Sequence, residues 1–155
     1  VWNVDNGYVD INSKTGSNYV RCVRGNQLSS SFTNNGDGTV TDNKTRFVWQ
    51  REDDGSKRDW ESAITYCESL SLGSNSDWRL PNIKELQSIT DAGQSSPAIN
   101  STAFPNTQSA YYWSSTTYLT DTTIVWSIPF NGVYVYQSRS KSVHTNYVRC
   151  VRGGS

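Results

Sequence analysis

The side chains best equipped for chemistry in this chain are three cysteines, Cys22, Cys67 and Cys150, and a single histidine, His144. A zinc site needs several sulfur or nitrogen ligands at short spacing. Here the cysteines stand far apart, no Cys-x-x-Cys pair occurs and His144 is the lone nitrogen ligand, so zinc is not expected. An odd number of cysteines in a chain of secreted character reads as one disulfide plus one cysteine whose partner lies elsewhere. No serine, histidine and acid fall in a recognisable catalytic order. Nucleophilic catalysis therefore lacks its parts, and the chain is read as no enzyme.

Oxygen-rich clusters are the next candidates. Asn35, Asp37 and Asp42 could ligate calcium, but an acid is missing at the first position of an EF-hand loop and Lys44 stands where the closing glutamate belongs. The run reads instead as a Gly36-Asp37-Gly38 turn; no cofactor is expected, with calcium left open. Glu52, Asp53 and Asp54 read as a solvated acidic turn. A ligand surface is expected at Tyr134, Tyr136, Arg139, Lys141 and His144, because aromatic faces beside polar and basic groups suit sugar rings or protein partners.

Lysine plus arginine and aspartate plus glutamate number 14 each. With no overall field, no nucleic-acid partner is expected. No apolar run of about 18 residues occurs, so no membrane insertion is expected either. No signal peptide opens at Val1, and the chain reads as a processed or excised part of something longer, secreted or at the cell surface.

Asn18-Tyr19-Val20-Arg21-Cys22-Val23-Arg24-Gly25 recurs unchanged as Asn146-Tyr147-Val148-Arg149-Cys150-Val151-Arg152-Gly153, 128 residues later. Val1-Trp2 matches Val125-Trp126 and Asn6-Gly7 matches Asn131-Gly132, which extends the match over the N-terminal segment. At that period each repeat is a domain. Residues 1–25 then form the terminal hairpin of a preceding unit, or a strand-exchange segment, and residues 26–153 form one complete unit. The alternative is that both copies are related hairpins sharing one core.

The elements that must position these residues follow from pattern. Two β-rich runs flank Asp42-Asn43-Lys44-Thr45 as a hairpin, sending Phe47 and Trp49 to the core. Trp60, Ala63, Ile64, Cys67 and Leu70 fall at helical spacing, with Ser56 and Asp59 placed as a capping pair. Asn82 and Glu85 open a second helix whose stripe is Ile83, Leu86 and Ile89 or Thr90, ending near residues 91–93. Residues 93–110 read as a long loop of functional type. Strands are expected at 111–118, 122–129, 133–138 and 146–151, giving an α+β arrangement with an antiparallel sheet. Trp49, Trp78, Trp113 and Trp126 read as core residues.

Six motifs in order, Asp37-Gly38-Thr39-Val40-Thr41-Asp42-Asn43, Phe47-Val48-Trp49-Gln50, Ala63-Ile64-Thr65-Tyr66-Cys67, Asp77-Trp78-Arg79-Leu80-Pro81-Asn82-Ile83-Lys84-Glu85-Leu86, Tyr112-Trp113-Ser114-Ser115-Thr116 and Tyr147-Val148-Arg149-Cys150-Val151-Arg152, resemble the bacterial family named for the C-terminal domain of the Legionella collagen-like adhesin. The resemblance covers residues 33–153. It implies a C-type-lectin-like α+β fold with two helices packed on a twisted antiparallel sheet, distantly similar to formylglycine-generating enzymes, without the closely spaced cysteine pair those enzymes use. It also implies a Cys67–Cys150 disulfide, worth about 4 kcal/mol in the chain-entropy model, which leaves Cys22 unpaired or intermolecular.

Two function classes follow. One is an extracellular structural and adhesive repeat, partnered by neighbouring copies and assembled into a fibre or filament through its duplicated terminal strands. The alternative is an adhesin domain whose partner is a surface or host polysaccharide, or a sulfated glycan as the family resemblance suggests.

Overall fold

The structure, a computed structural model, describes residues 2–3, 10–11, 31–91, 93–132 and 137–154. Near the N-terminus, β1 (Trp2–Asn3) pairs antiparallel with β2 (Asp10–Ile11). The central hairpin is β4 (Thr39–Asp42) and β5 (Phe47–Gln50), with β3 (Phe32–Asn34) on the outer side of β4. Its turn is held locally: the Asp42 carboxylate accepts hydrogen bonds from the Lys44 amide and the Thr45 hydroxyl. Such Asx geometry lets the chain reverse direction without losing backbone partners. Trp49 is fully buried and Phe47 half-buried against the same core, as the alternation predicts.

Helix α1 spans Trp60–Glu68. Asp59 caps it through the Ser62 amide, whereas Ser56 lies outside the cap and donates its amide to Asp54. The expected capping pair therefore reduces to Asp59 alone. Leu70 falls beyond the last turn. Helix α2 (Ile83–Ser88) opens on a full capping box: Asn82 accepts from the Lys84 and Glu85 amides, and Glu85 reaches back to the Asn82 amide. It is shorter than the pattern suggested, ending at Ser88.

The remaining strands are β6 (Tyr111–Thr117), β7 (Ile124–Pro129), β8 (Gln137–Ser140) and β9 (Val151–Gly153). They do not join the central hairpin in one sheet. Strands β3-β4-β5-β9 form one antiparallel sheet and β6-β7-β8 another, so the fold is α+β with two helices packed against two antiparallel sheets. The division arises because the closing segment changes role along its length. Asn146 pairs with Arg58, Tyr147 bridges to Tyr112 in parallel sense, and only from Val151 does a regular strand form beside β5.

Residues 93–110 form no helix or regular strand, as the loop expected there requires, yet part of the segment is interior. Ala98, Ile99, Ala103 and Phe104 are all buried, and the last three join Val40, Trp49, Leu86 and Tyr112 in one core cluster. Phe104 packs edge-on against Phe32 with ring centroids 5.0 Å apart. The segment lacks helix or strand periodicity but still fills the interior. A second cluster gathers Ala63, Cys67, Trp78, Leu80, Trp113, Val125, Val148 and Cys150. Val148 and Cys150 belong to this cluster and Val151 to the first, so the closing segment passes between the two cores.

Candidate functional site

The closing segment is anchored by burial, a disulfide and backbone pairing. Val148, Arg149, Cys150 and Val151 are successive residues, each at most 1% exposed. An exposed-face strand would alternate; four buried neighbours mean that both sides of the segment are covered. Cys150 is joined to Cys67 on α1, with Cα atoms 5.5 Å apart, the pairing that the resemblance implied. Its amide also meets the Gln50 side chain, and its carbonyl accepts from the Gln50 amide.

Arg149 is a buried cation in a built pocket. Its guanidinium donates to the carbonyls of Gln50 and Arg51, to the Thr107 hydroxyl at 2.8 Å and to the Asp53 carboxylate at 3.1 Å. Asp53 was expected in a solvated acidic turn; its side chain is 1% exposed. Sequence position alone could not separate it from Glu52 and Asp54, which lie at the surface or in exposed ion pairs. The available signal was Arg149 itself. A charged residue flanked by Val148 and Cys150 needs a buried counterion. The Tyr112 hydroxyl donates to the same carboxylate and accepts from the Gln108 amide. Burial pushes the Tyr112 phenol well above its ordinary value, while the Arg149 charge pulls against that shift. Burial likewise lowers the Arg149 guanidinium, opposed by Tyr112 and Asp53.

Other motifs converge on this segment and on the elements beside it. Arg79 exchanges both backbone hydrogen bonds with Val151 and holds Glu85 with two guanidinium contacts, at 2.7 and 2.9 Å. Asp77 receives Arg152. The Pro81 carbonyl accepts from the Ser115 amide, and the Thr116 hydroxyl accepts from the Ile83 amide, tying the start of α2 to β6. The motifs that hold Phe47–Gln50, Cys67, Asp77 and Arg79, and Tyr112 thus contribute to the seat in which residues 146–153 lie.

The ligand surface read from sequence is only partly described. Tyr134, Tyr136 and Cys22 lie outside the described residues. Arg139 sits over the Tyr111 ring, 3.7 Å from its centroid, and Lys141 over the Trp60 ring at 3.9 Å. Trp60 is fixed by its indole N–H to the Ser114 carbonyl, on the same strand as Tyr111. Lys57 lies 5.4 Å from the Tyr147 ring. Stacking of cations on half-exposed rings gives this region a mixed aromatic and basic face. Trp60 was expected on the stripe of the first helix and Tyr111 at the start of a strand, while Lys57 had no expected role; only the fold brings the Tyr111 and Trp60 rings beside Arg139 and Lys141. His144 is half-buried, and its Nδ1 atom is enclosed without a hydrogen-bond partner.

The calcium candidates are internally bonded. Asp37 accepts from the Thr39 amide and hydroxyl, Asp42 holds its own turn, and the Asn35 amide reaches Thr39 and Thr41. The Thr39 contact lowers the Asp37 carboxyl below its ordinary value. Gly36 and Gly38, with φ of 80° and 86°, adopt the left-handed backbone that this Gly-Asp-Gly turn requires. Among the described residues, no three histidine, cysteine or acidic side chains gather as metal ligands, and no helix is long and apolar enough to cross a membrane.

The model of one protein family, the Lcl C-terminal domain, matches residues 38–152. Comparisons with curated proteins and with solved structures found no match.

Proposed function

The chain belongs to the Lcl C-terminal domain family, and from that premise we propose that it is an extracellular structural and adhesive repeat module of a surface fibre. Family membership points to a surface-associated domain. The observation that carries the finer reading is the closing segment. It seals the domain with a disulfide, a buried ion pair and a strand, and the same eight residues occur a second time at 18–25. A fully buried disulfide in the second core cluster suits an oxidising exterior, and a duplicated sealing strand suits units joined in series.

Immunogold labelling of intact, non-permeabilised cells, with electron microscopy of sheared surface material, tests this. Labelled fibres with a regular axial repeat are expected. Label confined to the cell interior would overturn it.

A second reading, binding of polysaccharide or sulfated glycan, is favoured by Arg139 and Lys141 stacked on Tyr111 and Trp60. Ring faces and cations side by side match sugar rings that carry acidic groups. Retention on a heparin column at low salt, lost in the R139A/K141A variant, is the expected result. Unretained parent protein at low salt would count against it.

A further inference from the structure

The seat of the closing segment reads particular side chains, and the upstream copy carries all of them. Asn146 exchanges backbone hydrogen bonds with Arg58 and is 5% exposed. Val148, Arg149, Cys150 and Val151 fill the interior, Arg152 reaches Asp77, and Gly153, at φ 69°, pairs with Phe47. Residues 18–25 present Asn18, Val20, Arg21, Cys22, Val23, Arg24 and Gly25 in the same order and spacing. Nothing the seat recognises between positions 146 and 153 distinguishes one copy from the other.

Topology puts that copy within reach. Phe32 pairs with Asp42, Phe47 pairs with Gly153, and the short turn from Asp42 to Phe47 brings both pairs to the same end of the sheet. In the order β3-β4-β5-β9, the start of β3 and the end of β9 are three strand spacings apart, about 14 Å. Gly25 precedes Phe32 by seven residues. Seven residues span up to about 24 Å, and a chain that leaves the β9 position at this end then enters β3 in the correct direction.

We propose that this seat accepts residues 18–25 of the same chain in place of residues 146–153, so that each unit can be closed by its own terminal strand or by the one preceding it. The inference deepens the reading of units in series and rests on it. Its chemistry is a thiol–disulfide exchange. The Cys22 thiolate attacks the Cys67 sulfur, the Cys22–Cys67 bond forms as the Cys67–Cys150 bond breaks, and Cys150 leaves as a thiolate, with no net oxidation. Because Cys67 and Cys150 are both fully buried, the exchange requires the closing segment to leave its seat. Both copies are tethered to the same domain, so the choice between them is intramolecular and independent of concentration.

The test is disulfide mapping of the 155-residue chain after equilibration in a glutathione redox buffer, in which oxidised glutathione accepts the electrons of any newly formed disulfide. The parent is expected to yield Cys67–Cys150 with a minor Cys22–Cys67 peptide. In the C150S variant Cys22–Cys67 should become the main disulfide and the cooperative thermal transition should persist. Adding R21A to C150S should reduce the Cys22–Cys67 yield several-fold, because Arg21 must then meet Asp53. R21A in the parent background should leave Cys67–Cys150 unchanged. Mixing isotopically labelled and unlabelled chains separates linkage within a chain from linkage between chains. A folded C150S protein with both Cys22 and Cys67 as free thiols, an unfolded C150S protein, or a Cys22–Cys67 link found only between chains would each overturn the proposal. None of these outcomes bears on surface labelling, so the two readings fail separately.

Discussion

Replacing Asp53 with asparagine isolates the most demanding electrostatic feature of the interior. The substitution preserves side-chain size and leaves an oxygen able to accept from the Tyr112 hydroxyl, but it removes the charge opposite Arg149. Arg149 and Asp53 have side-chain exposures of 0% and 1%, so water cannot replace the lost partner. The carbonyls of Gln50 and Arg51 and the Thr107 hydroxyl still accept from the guanidinium, yet none carries a full charge. Breaking a buried pair from one side costs about 3–5 kcal/mol. For a domain of this length each kcal/mol moves the midpoint by about 2–4 °C, so Tm should fall by about 6–20 °C.

The assay is thermal and urea unfolding followed by circular dichroism, with the disulfide kept oxidised so that the transition stays two-state. Removing the cation as well, in D53N/R149M, should recover part of the loss, because the cost of breaking a buried pair from one side comes chiefly from the uncompensated charge, which is then gone. The reasoning is refuted if D53N loses less than about 1 kcal/mol, or if the double variant is no more stable than D53N alone.

Other outcomes follow from the same structure. Cys67→Ser removes the partner of either closing strand, so it should cost about 4.5 kcal/mol for the 83-residue separation, a loss that Cys22 cannot restore; urea midpoints under oxidising conditions measure it. Asn82→Ala deletes the acceptor for two α2 amides and should cost about 1 kcal/mol, read as a lowered thermal midpoint. Asp59 titrates with a defined sign: hydrogen bonding to Ser62 holds its carboxyl below the ordinary 3.8, so its contribution is complete above that value and disappears as pH falls through the lowered one. Asp59→Asn keeps a capping oxygen without a titrating group, and the difference between the two acid-unfolding curves should be confined to that window. Lys141→Ala should change stability by about 1 kcal/mol or less, since a half-exposed cation over an aromatic ring is worth about 0.5–1 kcal/mol.

Much of the local structure is written in nearest neighbours. The Asn82 and Glu85 capping box, the Asp42 turn, the Asp59 cap and the apolar stripes of both helices depend on residues within four positions of each other. Such signals survive without knowledge of the fold, and the ordered motifs carried the family and the α+β class with them. Ser56 misled because an amide-accepting turn at Asp54 competes for it locally.

What tertiary structure decided is the fate of charged and irregular residues. Asp53 lies 96 residues from Arg149 in sequence, and no local pattern separates a buried aspartate from two exposed acidic neighbours. Ala98, Ile99, Ala103 and Phe104 have no periodicity to announce them, yet all four are buried, and the last three share a core cluster with residues of α2 and both sheets. Trp60 and Tyr111 gain their cations only where α1 and β6 meet β8 and the residue that follows it. The duplicated Asn-Tyr-Val-Arg-Cys-Val-Arg-Gly is visible in sequence by identity alone. That these eight residues are the seal of the domain follows only from the structure, because sealing depends on contacts between distant parts of the chain.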